Sequence, residues 1–312
     1  MKSIFLIFFV TFSLFTVAQT TEEKTLITTT GELKGTLYLP KKAHKLSLLI
    51  IQAGSGATDR NGNSLPFIKA NCYKLIAQGL AEKGIATLLT DKRGIAASAK
   101  AMKAESDLQF EDYANDLADW VKIAKNDKRF KKIFLAGHSE GSLVAMLAAQ
   151  RETVNGYISI AGAGESINKI IVWQYQQQFP KTALVVDSLF ERLKNNLTLD
   201  TVPKLLMSIF RPSLQRYISS WMKYDPAIEI AKLTVPVLIM QGTTDLQVTI
   251  EQSEYLKNAK PKSKYVLIEE MNHILKLAPK NREKNIATYN QENLPLHSDV
   301  VKIICSFIKH KK

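Results

Sequence analysis

Apolar residues along this chain fall into two patterns that take turns. Residues 46–51 (Leu-Ser-Leu-Leu-Ile-Ile), 85–90, 133–136, 154–161, 235–240 and 265–269 are short, nearly unbroken apolar runs. Runs that short and continuous suit strands covered on both faces. Between them the spacing changes. Phe110, Tyr113, Ala114, Leu117, Trp120, Val121 and Ala124 keep i, i+3, i+4, i+7 spacing and predict an amphipathic helix. Helices are also predicted over 66–83, ending at Gly84, and over 143–149, 250–257 and 300–308. Residues 25–29 and 32–39, separated by Thr30-Gly31, predict an opening hairpin. Strand and helix alternating in this way imply an α/β fold, with a mainly parallel central sheet and helices on both faces.

The alternation stops at Gly162. Residues 165–224 contain no strand-like run, only helical stretches rich in aromatics and amides, among them Trp173, Tyr175, Phe179, Phe190, Phe210, Tyr217, Trp221 and Tyr224. A helical block between two strands of one sheet is expected to be an inserted lid, over about 163–228. Its aromatics offer large apolar contact and no cluster of charge, which suits a short to medium acyl chain.

The 312 residues suffice for one such domain with its insertion, and no repeat or linker divides them. The net charge of +13 is spread over scattered lysines. No Arg-rich arm or zinc-finger spacing accompanies it, so the reading is a solvated basic face and no nucleic-acid partner. Residues 1–18 have another character. Lys2, an apolar stretch from Ile4 to Val17 and the small residues Thr16-Val17-Ala18 predict a cleaved secretory signal, with Gln19 as the mature N-terminus. The expected location is periplasmic or secreted, with no stable membrane insertion after cleavage; an uncleaved anchor is the alternative. The two cysteines, Cys72 and Cys305, lie in apolar helical contexts and are expected to be buried free thiols rather than a bridge.

Candidate chemistry centres on Gly137-His138-Ser139-Glu140-Gly141, a G-x-S-x-G pattern between an apolar strand and an apolar helix. In that context the turn holds its serine in a strained conformation and lifts the hydroxyl clear of the sheet. A serine hydroxyl is a poor nucleophile without an adjacent base held in one tautomer. Of five histidines, His44 precedes a strand, His297 opens the last helix, His310 is in the charged tail, and His138 points away from Ser139. His273, just past the last predicted strand, is the expected base. Asp245, past the strand at 235–240, is the expected orienting acid; Asp225 is the alternative but precedes that strand. The order Ser139, Asp245, His273 is that of α/β-hydrolases, not of chymotrypsin or subtilisin folds. Backbone N–H groups of Ser55, in the Gly54-Ser55-Gly56 loop, and of Glu140, at the start of the elbow helix, are the expected oxyanion donors.

These residues carry a resemblance. The chain resembles the α/β-hydrolase superfamily, and within it the bacterial carboxylesterases and serine-aminopeptidase-like hydrolases. The shared marks are the loop at 54–62 (Gly-Ser-Gly-x-x-Asp-Arg-Asn-Gly), the Gly-His-Ser-x-Gly elbow, Asp245-x-x-Val248, Asn272-His273 and Tyr224-Asp225-Pro226. The resemblance implies a Ser139, Asp245, His273 triad. Many relatives carry His-Gly where this chain has Ala53-Gly54, a change that a backbone oxyanion donor tolerates. The expected activity is cleavage of small acyl esters through an acyl-enzyme, with no metal or cofactor. Peptide or amide hydrolysis, or a non-catalytic binding module, are the alternatives, and oligomeric state is left open.

Overall fold

One eight-stranded sheet organises the molecule. The computed structural model describes residues 20–41 and 45–310; the leader expected over 1–18, and His44, lie outside the described residues. The chain opens with the antiparallel hairpin β1 (Thr20–Thr28) and β2 (Gly31–Leu39), paired from Thr20 opposite Leu39 to Thr28 opposite Gly31. Strand β3 (Leu46–Gln52) follows, then a small ribbon of β4 (Asn63–Ser64) and β5 (Ile68–Lys69), helix α1 (Cys72–Glu82) and strand β6 (Ala86–Thr90). Helix α2 (Phe110–Asn126), strand β7 (Phe130–His138), helix α3 (Glu140–Arg151) and strand β8 (Gly156–Ile160) continue the alternation. Five helices then intervene: α4 (Ile167–Gln178), α5 (Pro180–Lys194), α6 (Met207–Phe210), α7 (Gln215–Met222) and α8 (Pro226–Lys232). Strand β9 (Val237–Gly242), helix α9 (Ile250–Ala259), strand β10 (Lys264–Ile268), and helices α10 (Arg282–Ile286) and α11 (Ser298–Lys309) complete the chain.

The strand order is β1-β2-β6-β3-β7-β8-β9-β10. All neighbours from β6 onward are parallel, and only the two pairings of β2 are antiparallel. Parallel strands need crossover helices, and those helices cover both faces. On one face α1 and α11 pack Tyr73, Ile76, Leu80, Val300, Ile304 and Phe307 against alternate residues of the strands. On the other, α2 and α3 contribute Phe110, Trp120, Leu143 and Met146. Apart from the helix expected over 66–83, the predicted strands and helices appear within about five residues of their expected ends.

The helix expected over 66–83 is a correction. It begins at Cys72, because Asn71 adopts a left-handed conformation (φ 50°) that no helix interior accommodates. The Asn63 amide locks that turn: its Nδ2 donates to Asn71 Oδ1 and its Oδ1 accepts from Asn71 N, both at 2.9 Å. Residues 63–69 instead form the ribbon, with Phe67 at its exposed tip. Both cysteines are free, Cys72 buried and Cys305 half-buried.

Candidate active site

Strand β7 delivers Ser139 at the carboxyl edge of the sheet, between the strand and helix α3. Its φ and ψ are 56° and −125°, outside the regions an L-residue ordinarily occupies. The strain is held from both sides. Ser139 N–H donates to Ile160 O of β8, and Ser142 N–H donates back to Ser139 O, each at 3.0 Å. The flanking glycines are required by space. A β-carbon on Gly137 would sit 1.9 Å from the Gly141 carbonyl oxygen, and one on Gly141 would sit 2.5 Å from the carbonyl oxygens of Gln52 and Ala53. The turn can therefore be this tight only with hydrogen at both positions.

Two loops past β9 and β10 bring Asp245 and His273 together. Asp245 Oδ2 accepts from His273 Nδ1 at 2.8 Å, and Gln241 Nε2 approaches the same oxygen at 3.3 Å. The other oxygen, Oδ1, accepts from the backbone N–H groups of Gln247 (2.8 Å) and Val248 (3.0 Å). This closed turn is the physical content of the Asp-x-x-Val spacing. With Nδ1 donating to a carboxylate, Nε2 of His273 carries the free lone pair. Asn272 fixes the turn that presents the ring: its amide donates to Thr288 Oγ1 at 2.8 Å, and its oxygen accepts from Lys276 N–H. Asn285 joins the two loops by donating to Thr244 O and Pro279 O.

Ser139 and His273 face one small cavity of about 110 Å³, together with Gly54, Ser55 and Gln247. The Ser139 hydroxyl makes no hydrogen bond among the described residues. Asp225, the alternative acid, caps α8 by accepting from Ala227 N–H and Ile228 N–H. His297 caps α11.

His138 does point away from Ser139, and its partners show why it is there. Its Nε2 lies 2.8 Å from His273 O, a pure acceptor, so Nε2 carries the proton and Nδ1 accepts from Tyr73 Oη, also at 2.8 Å. Gly54 N–H in turn donates to Tyr73 Oη at 3.3 Å. One relay of hydrogen bonds thus runs from the loop after β3 through the elbow to the backbone of His273. Burial, helped by the neighbouring His273 ring, pulls the His138 pKa down to about 3, so the imidazole is neutral.

The loop after β3 is pinned from several directions. Asp91, at the end of β6, accepts from Arg60 N–H (2.8 Å) and Arg60 Nε (2.9 Å). Lys92 Nζ donates to Gly54 O at 2.5 Å. That ammonium is fully buried, 3.8 Å from the Glu140 carboxylate and 5.3 Å from the centre of the Tyr113 ring. Burial pushes the Lys92 pKa down and the Glu140 pKa up, each opposed by the charge of the other. Tyr217 Oη donates to the same Glu140 oxygen at 2.9 Å. Ser55 N–H has no protein acceptor among the described residues. Glu140 N–H, first of its helix, has none within the helix.

A second cavity, of about 660 Å³, opens on the other side of Ser139 and reaches under α4 and α7. Ile167, Ile170, Ile171, Ile218 and Trp221 give it apolar walls, and Ser55, Ser139 and Glu140 lie at its floor. The expectation of large apolar contact with no cluster of charge needs correction. Lys92, Arg93, Glu105, Glu165 and Arg211 also line it. Most of that charge comes from loops of the core, which an inspection of the insertion alone does not reveal.

An elbow between a parallel strand and a helix, with an Asp–His pair from later loops on the same sheet edge, defines an α/β hydrolase. A family model described as serine aminopeptidase, S33 matches residues 69–277, more than half of the chain, and the chain belongs to that family of hydrolases. It is similar to esterase EstD of Thermotoga maritima, at 26% identity over 261 residues, which are 81% of this chain and 60% of that protein. The chain thus spans about three fifths of that relative's length. Among solved structures, Est1E from Butyrivibrio proteoclasticus matches at a TM-score of 0.58 and 19% identity, over 92% of this chain and 99% of that one. The Pyrococcus furiosus esterase Pf2001 matches at 0.60 and 15% identity, over 95% and 92%. At such identities these two likenesses bear on the fold.

Proposed function

We propose that this protein hydrolyses carboxylic esters through an acyl-enzyme on Ser139. The observation that carries the reading is the Asp245–His273 hydrogen bond, set across one cavity from a strained Ser139. His273 Nε2 takes the Ser139 Oγ proton as Oγ bonds to the ester carbonyl carbon. Negative charge gathers on the carbonyl oxygen, where Ser55 N–H and Glu140 N–H receive it. The carbon–alkoxide bond then breaks and the alkoxide leaves with the proton from His273. A water deprotonated by His273 then attacks the acyl carbon, the bond to Ser139 Oγ breaks, and His273 returns the proton to Oγ as the acid leaves. Each step uses only the chain's own groups and water. The esterase relatives support the reaction class, and the composition of residues 1–18 supports export to a periplasmic or extracellular site.

The leaving alkoxide must meet His273, which lines the small cavity and not the large one. That assignment puts a small alcohol on the small side and the acyl group, of short to medium length, under α4 and α7. A peptidase that grips a free amino terminus needs an unpaired carboxylate near the serine. Here Glu140 is held by Lys92 and Tyr217, Glu105 by Arg211 and Ser213, and Glu165 by Lys169 and Gln252. Ester substrates are favoured on that ground.

Methyl phenylacetate and benzyl acetate are isomers that exchange the large and small sides. The first should be cleaved faster, and leucine p-nitroanilide should be a poor substrate. Faster cleavage of benzyl acetate overturns the assignment of the two sides. Ser139→Ala should lower kcat by about 10⁴-fold or more and abolish fluorophosphonate labelling; an active, labelled variant overturns the reaction itself.

A further inference from the structure

Lys92 is a buried cation that no step above uses. An ammonium removed from water is costly unless its partners repay the lost hydration. If neutralising Glu140 were its task, the carboxylate would be its nearest partner. Instead the carboxylate is 3.8 Å away and the nearest partner is an uncharged carbonyl, Gly54 O, at 2.5 Å.

That carbonyl belongs to the peptide unit whose other end is Ser55 N–H. The unit is trans, so its C=O and N–H point in opposite directions. Pulling Gly54 O toward Lys92 therefore aims Ser55 N–H the other way, toward the space beside Ser139 where both cavities meet. A cation on the carbonyl oxygen also draws electron density from the amide and makes its N–H a stronger donor. The carboxylate that faces Lys92 belongs to Glu140, the residue whose N–H is the second donor. One buried charge thus reaches the peptide unit that carries one donor and the side chain of the residue that carries the other.

We propose that Lys92 is a positioning residue for the oxyanion hole, holding and polarising the Gly54–Ser55 peptide so that Ser55 N–H meets charge as it develops on the carbonyl oxygen. The inference rests on the esterase reading above.

The experiment compares the wild type with Lys92→Met, which removes the donor, and Lys92→Gln, which keeps a neutral donor. Each is titrated with methyl phenylacetate, with benzyl trifluoromethyl ketone, whose adduct with Ser139 places an oxyanion in the hole, and with phenethyl alcohol, which has no carbonyl. Lys92→Met should lower kcat by about 10- to 100-fold, somewhat less than loss of a donor itself, with KM little changed. Affinity for the ketone should fall by the same factor as kcat/KM, and affinity for phenethyl alcohol should hold. Lys92→Gln should fall between the two. Unchanged kcat and ketone affinity overturn the proposal, as does a parallel loss of phenethyl alcohol affinity, which marks a merely structural role. Should Lys92→Met fail to fold, the same ratios in Lys92→Gln decide. A wild type that neither cleaves esters nor labels with fluorophosphonate removes the esterase reading instead, and is told apart because it needs no variant.

Discussion

His138 stands next to the reactive hydroxyl, yet its bonds make it a strut rather than a base. Its folded pKa of about 3 lies below the ordinary 6.5 of a histidine, and burial is the main cause. The unfolded chain binds a proton at this residue below pH 6.5, whereas the folded chain does so only near pH 3. The group therefore leaves stability independent of pH above 6.5 and lowers it as pH falls from 6.5 toward 3, by up to about 1.4 kcal/mol per pH unit. His138→Gln should be less stable than the wild type at pH 7, by about 1–3 kcal/mol, because Tyr73 and His273 O lose their partner. Between pH 6.5 and pH 4.5 that gap should narrow by about 2–3 kcal/mol. Urea unfolding at the two pH values checks this, and a constant gap would show that the imidazole protonates while folded. None of this relay was legible in the sequence. Tyr73, His138 and His273 are separated by 65 and 135 positions, and each reads locally as an ordinary helix, elbow or loop residue. Asp245 and His273 were legible because their chemistry restricts them to loops past strands; Lys92 was not, since nothing local shows that a lysine at a strand end turns inward.

At the scale of elements, the elbow is the part that tolerates least. Gly137→Ala places a β-carbon 1.9 Å from a backbone oxygen that cannot rotate away. The strand or helix α3 must shift, and both are buried where they flank the elbow. The expected cost is about 3 kcal/mol or more, read as a lower thermal midpoint or loss of soluble protein, together with loss of esterase activity. A stable and active Gly137→Ala protein would mean that the elbow is looser than its geometry. The sequence revealed this element because its requirement is one of residue type at fixed spacing, flanked by apolar runs. It revealed the central strands for a similar reason, since burial on both faces leaves few polar positions to confuse the pattern. The start of α1 was misread for the opposite reason. Pro66, Phe67 and Ile68 look like a helix entry, and only the pairing of Asn63 with Asn71 turns them into a ribbon. Two-residue strands carry no periodicity to read.

Across the whole molecule, the inserted helices are not one body that covers the site. Helix α7 is part of the core: Tyr217, Ile218 and Trp221 are buried, Trp221 stacks on Phe110 with ring centres 5.2 Å apart, and Ser220 Oγ accepts from Phe110 N–H at the start of α2. Helix α4, which roofs the large cavity, buries only Ile170. Its polar ties to the core are few. Gln174 Nε2 donates to Gln247 O at 3.1 Å, and Gln252 Oε1 accepts from Gly164 N–H and Glu165 N–H just before the helix. Periodicity placed both helices in one expected lid because each is amphipathic; which face meets the core depends on residues 73 to 110 positions away. Local stability follows buried apolar contact, so α4 should open in a step separate from global unfolding while α7 should not. Native-state hydrogen exchange in graded urea measures both. Amides of α4 should exchange through an opening with little urea dependence, and those of α7 should join the exchange of α3 and β7. Gln252→Ala removes the bonds that hold the start of α4, so it should quicken exchange in α4 and alter KM with little change in the thermal midpoint. Exchange of α4 and α7 as a single unit would instead mean that the whole insertion moves, and that Trp221 leaves Phe110 each time the cavity opens.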